Sequence, residues 1–86
     1  MEIKIVSRWN QWTRGTCGPY EFSCKHFAEP SQWGIEADAE HGPGRVSKLE
    51  MRRAGRIVCN YDRGWDILPA ADDDLAVLAL ILDRFN

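Results

Sequence analysis

No part of this 86-residue chain is apolar for long enough to cross a bilayer. The longest uninterrupted apolar run, residues 75–82, is eight residues long where a spanning helix needs about 20. A leader-like apolar segment is missing too, because Glu2, Ile3, Lys4 and Ile5 alternate charge with aliphatic side chains. These absences predict a cytoplasmic protein with no membrane partner. Histidine and cysteine are scarce, two and three residues, and neither Cys-x-x-Cys nor a paired-histidine spacing occurs. Structural zinc sites usually carry such spacings, so no metal and no cofactor is expected. The alternative set would combine Cys24 and His26, two apart on a strand, with Cys17, Cys59 and His41. Three thiols cannot all pair within the chain, and without a secretory signal they are expected to be reduced and mostly buried.

Catalytic signatures are equally thin. Gly42 and Gly44 precede a strand rather than a helix N-terminus, so they form no phosphate loop. No serine sits in a nucleophile elbow. Asp62 and Asp66 are a carboxylate pair that could do acid–base work, and capping the turn and pairing with Arg63 account for them more simply. The chain is therefore expected not to be an enzyme; a small enzyme or zinc-binding domain is the remote alternative.

A net positive charge is also missing: 11 Lys and Arg face 13 Asp and Glu, for a net of −2. The charge is unevenly spread. Residues 45–63 hold six bases (45, 48, 52, 53, 56, 63) against Glu50 and Asp62, a local +4. Residues 64–86 hold five aspartates against Arg84, a local −4, and residues 28–44 add four acids and no base. The pattern is that of a solvated surface, or of a dipolar face for a partner.

What is present is a patterned small domain, taken as one unit over residues 1–86. Tyr20, Phe22 and Cys24 alternate with Glu21, Ser23 and Lys25, which predicts a strand over 20–27. A strand over 11–17 precedes it across the Gly18-Pro19 turn, and residues 2–5 form a further short one. Residues 45–53 and 56–61 predict a hairpin around Ala54-Gly55, with Leu49, Met51, Ile57, Cys59 and Tyr61 inward. Residues 28–44 read as a long connection pinned by Trp33-Gly34-Ile35. Asp72, Asp73 and Asp74 read as an N-cap and two first-turn acids. Leu75, Val77, Leu78, Ile81, Leu82 and Phe85 follow as an apolar stripe, with Leu80 outside it. The fold class is α+β: a four-stranded antiparallel meander, five-stranded if residues 2–5 join, with one C-terminal helix on one face.

The densest recognition signal is Tyr61-Asp62-Arg63-Gly64-Trp65-Asp66, between the last expected strand and the helix. A turn with Asp62 at its first position and Gly64 at positive φ explains two of these residues. It does not explain Arg63 and Trp65, residue types that dominate binding hot spots. Arg52, Arg53, Arg56, Arg63, Trp65 and Trp33 are the binding candidates.

The pattern Gly18-Pro19-Tyr20-x-Phe22, Lys25-His26-Phe27, Pro30-Ser31, Gly34-Ile35, Gly44-Arg45-Val46-Ser47-Lys48-Leu49 and the 61–66 hexapeptide resembles a family of small uncharacterised bacterial and phage-encoded domains. The likeness spans about residues 12–86, and residues 36–43 look longer than the family pattern. It implies a small cytoplasmic domain carried by mobile elements, with no activity and no catalytic residues to transfer. The leading expectation is a protein-interaction module acting on a host protein, for example a defence-system inhibitor, and itself a monomer or weak homodimer. The alternative is a single-stranded nucleic-acid-binding domain that uses the basic hairpin and Trp9, Trp12, Trp33 and Trp65.

Overall fold

The computed structural model describes residues 1–38, 40 and 42–86. Among the described residues eight strands precede one helix: β1 Ile3–Trp9, β2 Trp12–Cys17, β3 Tyr20–His26, β4 Glu36–Asp38, β5 Gly42–Pro43, β6 Val46–Arg53, β7 Arg56–Asp62, β8 Trp65–Ile67 and α1 Asp72–Phe85. Six of the strands form one antiparallel sheet in the order β1-β2-β3-β6-β7-β8, and β4 and β5 form a small ribbon of their own. The fold is α+β with an antiparallel sheet and a C-terminal helix, but the sheet has six strands rather than four or five.

The extension of β1 beyond residue 5 and the existence of β8 each have a physical reason for escaping the pattern. β1 pairs Ile5 with Gly15 and Ser7 with Arg14, so Val6 is an unpaired bulge that breaks the alternation after Ile5. The strand runs on to Trp9 and turns at Asn10, which takes φ 55°. β8 is three residues long, too short to show a period.

Cys17, Tyr20, Phe22, Cys24, Leu49, Met51, Cys59 and Tyr61 point to one face of the sheet, where Val77, Leu78, Ile81 and Phe85 of α1 cover them. Ile57 is 37% exposed, because the register slips between Met51 and Arg52 near the hairpin end. The helix differs from the expected stripe by one position. Its N-cap is Ala71, with no side-chain cap, and the three aspartates fill the first turn. Asp74 turns inward and Leu75 stays 42% exposed. The cause is Tyr20, whose buried hydroxyl donates to Asp74 Oδ1 at 2.5 Å. None of the described helices is long and apolar enough to cross a membrane.

His26 lies at the end of β3, with its ring 5.0 Å from that of Phe85 and Nε2 2.9 Å from Thr13 Oγ1. Burial, then Arg8 and Arg45, push its pKa below the ordinary value of 6.5. The unfolded chain therefore takes up this proton first, and stability is full above about pH 6.5 and falls as the pH drops below it. Thermal unfolding followed between pH 7.5 and 5 should show a falling midpoint whose slope flattens in His26→Gln. Equal slopes in the two proteins would remove His26 as the cause.

Candidate functional site

Residues 28–44 were expected to be a long connection pinned by Trp33-Gly34-Ile35, and the pin lies at Ile35. Ile35 is buried, its N–H donates to Val46 O at 2.8 Å, and its carbonyl accepts from Gly44 N–H at 2.9 Å. The Asn86 side chain bridges the same place, Nδ2 donating to Ile35 O at 3.1 Å and Oδ1 accepting from Val46 N–H at 3.0 Å. Trp33, next to this anchor, is 52% exposed. Ile35 is thus the pin, and Trp33 projects from it.

Across from Trp33 stands the β7–β8 connection. Its turn geometry differs from the expectation: the positive φ belongs to Arg63, at 57°, and Gly64 has none. Two backbone bonds hold Arg63 there. Its N–H donates to Ser47 O at 3.0 Å, and Asp62 N–H donates to Gly64 O at 2.9 Å. A Cβ at Gly64 would meet nothing within 4 Å, so glycine is not required at that position. The Asp62 carboxylate does not cap the turn; it accepts from Arg63 Nε at 3.3 Å and lies 3.7 Å from Lys48 Nζ.

Between these walls runs an open groove of about 520 Å³, lined by Trp33, Glu36, Tyr61, Arg63, Trp65 and Leu82 among others. Tyr61 couples its two sides. Its hydroxyl donates to Trp33 O at 2.9 Å, and its ring meets that of Trp65 edge-on at 5.0 Å and 74°. Burial, and then the charge of Glu36, raise the Tyr61 pKa above 10.0, so the hydroxyl remains a donor. The groove continues into an apolar sheet edge, where Trp65 is 41%, Ile67 40% and Leu68 63% exposed.

Three of the six expected binding residues, Trp33, Arg63 and Trp65, therefore converge. Arg52, Arg53 and Arg56 do not join them. Arg52 pairs with Glu50 at 3.2 Å, and Arg56 is exposed at the far end of β7. Arg53 donates to the Tyr20 hydroxyl at 3.3 Å and lies 3.8 Å from Asp73. Sequence reasoning overlooked Tyr61, Glu36 and Leu82 as groove residues. Tyr61 looked like a core strand residue, and only its place opposite Trp65 gives it a second role.

Chemically the groove offers aromatic faces, one cation and one carboxylate, a set suited to binding; the Tyr61 hydroxyl proton is already committed to Trp33 O. Among the described residues the one hydroxyl–imidazole contact, Thr13 with His26, has its threonine 1% exposed, out of reach of a substrate. The three cysteines are free and buried. Burial pushes the Cys24 and Cys59 thiols up to about 12, which disfavours the thiolate a metal would need. Among the described residues no three His, Cys, Asp or Glu side chains could hold a metal ion; His41 lies outside the described residues.

The chain belongs to a family described as a domain of unknown function (DUF7678), which it matches over residues 11–86. No curated protein matches the chain, and no solved structure does.

Proposed function

We propose that this DUF7678 member is a protein-interaction domain that captures an extended segment of a partner along the β8 edge, with apolar side chains seated between Trp33 and Trp65. The observation that carries this reading is the groove beside β8, which ends on an edge strand with exposed apolar side chains. Exposed β-edges are guarded in stable monomers by charge and by bulges. β1 has both, with Lys4 and Arg8 exposed and Val6 bulged. β8 is itself short, carries the exposed Asp66 and meets β7 with a register shift, but its exposed Trp65 and Ile67 run into Leu68 beside a groove. Strand addition would satisfy its outer backbone groups, and pockets for alternate side chains would supply selectivity. The mobile-element context implied by the resemblance favours a host protein as the owner of that segment.

The test is selection from a displayed random-peptide library, with bound clones re-measured against Trp33→Ala, Trp65→Ala and Ile67→Lys. Peptides with alternating apolar residues should emerge and lose about tenfold or more in affinity for each variant, the scale of a hot-spot truncation. Clones that bind all three variants as well as the parent would sink the reading. So would sedimentation showing a dimer that Ile67→Lys dissolves, because the edge would then belong to a second copy.

A further inference from the structure

The sheet face turned away from α1 carries a second, chemically different surface. Its side chains fall into three rows that cross the strands. One row reads Trp9, Trp12, Lys25, Lys48, Asp62, each residue directly opposite the next in register. The next reads Ser7, Arg14, Ser23, Glu50, Asn60, Ile67, and the third Lys4, Thr16, Glu21, Arg52, Ile57. The rows between them point at the helix and hold the core. The open face thus carries five bases, Lys4, Arg14, Lys25, Lys48 and Arg52, against three acids, Glu21, Glu50 and Asp62. This excess of +2 occurs in a chain whose net charge is −2. The helix aspartates at 72, 73, 74 and 83 belong to the layer on the opposite side of the sheet.

Two details of the first row point to a ligand. Lys25 and Lys48 stand directly opposite each other, an arrangement that costs stability unless an anion lies between or beside them. Lys48 has Asp62 at 3.7 Å, whereas Lys25 has only the Phe27 ring, 5.6 Å from its ammonium. Among the described residues no carboxylate pairs with Lys25 or Arg14. Beside these cations the row ends in two tryptophans facing each other across the β1–β2 hairpin, and Trp9 is 75% exposed. Such exposure removes core packing as the reason for an indole at position 9.

We infer that this row, together with Arg14 from the next, is a binding site for single-stranded nucleic acid. Bases stack on Trp9 and Trp12, and the phosphates that follow lie on Lys25, Lys48 and Arg14. Sequence-tolerant single-strand sites combine these two elements, aromatic faces and a cationic track. A protein partner is the poorer fit here, because this row is cationic where the groove beside β8 is largely apolar; Ile57 and Ile67, at the β7–β8 end of the face, lie outside the row. The site shares none of its five residues with that groove, so each stands or falls without the other.

The test is fluorescence anisotropy with dye-labelled 20-nucleotide oligothymidylate and oligouridylate, at 50 and 200 mM salt. Binding to at least one oligonucleotide is expected, with quenching of tryptophan emission. With three phosphates engaged at a slope of about 0.7 per phosphate, the fourfold rise in salt should weaken binding about 18-fold. Trp9→Ala and the pair Lys25→Gln/Lys48→Gln should each weaken binding about tenfold or more while melting no lower than the parent, since all three side chains lie outside the core and the lysine pair relieves a like-charge contact. Trp33→Ala should leave oligonucleotide binding unchanged. No binding of either oligonucleotide at 50 mM salt, a salt-independent affinity, or full binding by the row variants would overturn the inference.

Discussion

Gly34→Ala should lower the melting temperature by about 10–20 °C, the shift expected of a domain this size for a loss of about 2–3 kcal/mol. The glycine is required by close approach, not by its dihedral angle, because its φ is not positive. A Cβ at Gly34 would run into the carbonyl oxygen and carbon of Gly44 and come to 3.0 Å from its nitrogen. These are backbone atoms, and they cannot swing away as a side chain could. Gly44 is itself held: its carbonyl accepts from Ser31 N–H at 3.0 Å and its N–H donates to Ile35 O at 2.9 Å. It cannot retreat on its other side either, since its own Cβ position is filled by the Asn86 amide. Relief therefore means breaking the Ile35 anchor, which also frees Trp33 from Tyr61 and dismantles one wall of the groove. Calorimetry of Gly34→Ala beside Gly64→Ala makes the comparison clean, because a methyl at Gly64 meets open space. A Gly34→Ala protein that melts with the parent would mean the two segments are not packed as described.

The fold was legible where a period of two ran unbroken over enough residues. Tyr20, Phe22 and Cys24 announced β3, and Leu49, Met51, Cys59 and Tyr61 announced the inner face of the β6–β7 hairpin. A single bulged residue, Val6, was enough to hide more than half of β1. The inward turn of Asp74 was hidden for a different reason. Three consecutive aspartates before an apolar stripe look like capping, and only the position of Tyr20, 54 residues earlier, selects one of them for burial. The site divides along similar lines. Trp33, Arg63 and Trp65 could be named from residue type, but their convergence depends on the Ile35 anchor, a long-range contact. Arg56 and Asp62 sit at opposite ends of β7, about 20 Å apart at 3.3 Å per residue, so the hairpin arginines could not share a site with Arg63. The open-face row was invisible for lack of register: Trp9 and Trp12 are neighbours in sequence, but Lys25 and Lys48 meet only when β3 pairs with β6.

Tyr20→Phe should cost about 1–3 kcal/mol, although it removes one oxygen and no packing volume. The loss comes from what remains. Asp74 is 9% exposed, and the Tyr20 hydroxyl is the side-chain donor that satisfies it. The pair is strongly coupled. The hydrogen bond to Asp74, then burial and the charge of Asp74, raise the Tyr20 pKa above 10.0, so the tyrosine stays a donor and the carboxylate the acceptor. Arg53 steadies the assembly from outside, with its guanidinium 5.4 Å from the Tyr20 ring centre. Through this one contact the first turn of α1 is tied to the start of β3. Without it, only the positive end of the helix dipole still favours the buried charge. Asp74→Leu should be costly in the reverse sense, leaving a buried hydroxyl with no carboxylate to receive it. Replacing both partners removes both orphans, so Tyr20→Phe/Asp74→Leu should be clearly less destabilised than the sum of its parts, with a coupling of about 0.5–3 kcal/mol. Denaturant unfolding of the four proteins measures that coupling directly. If the two single losses simply add, the hydroxyl–carboxylate bond does not tie α1 to the sheet, and the inward turn of Asp74 has another cause.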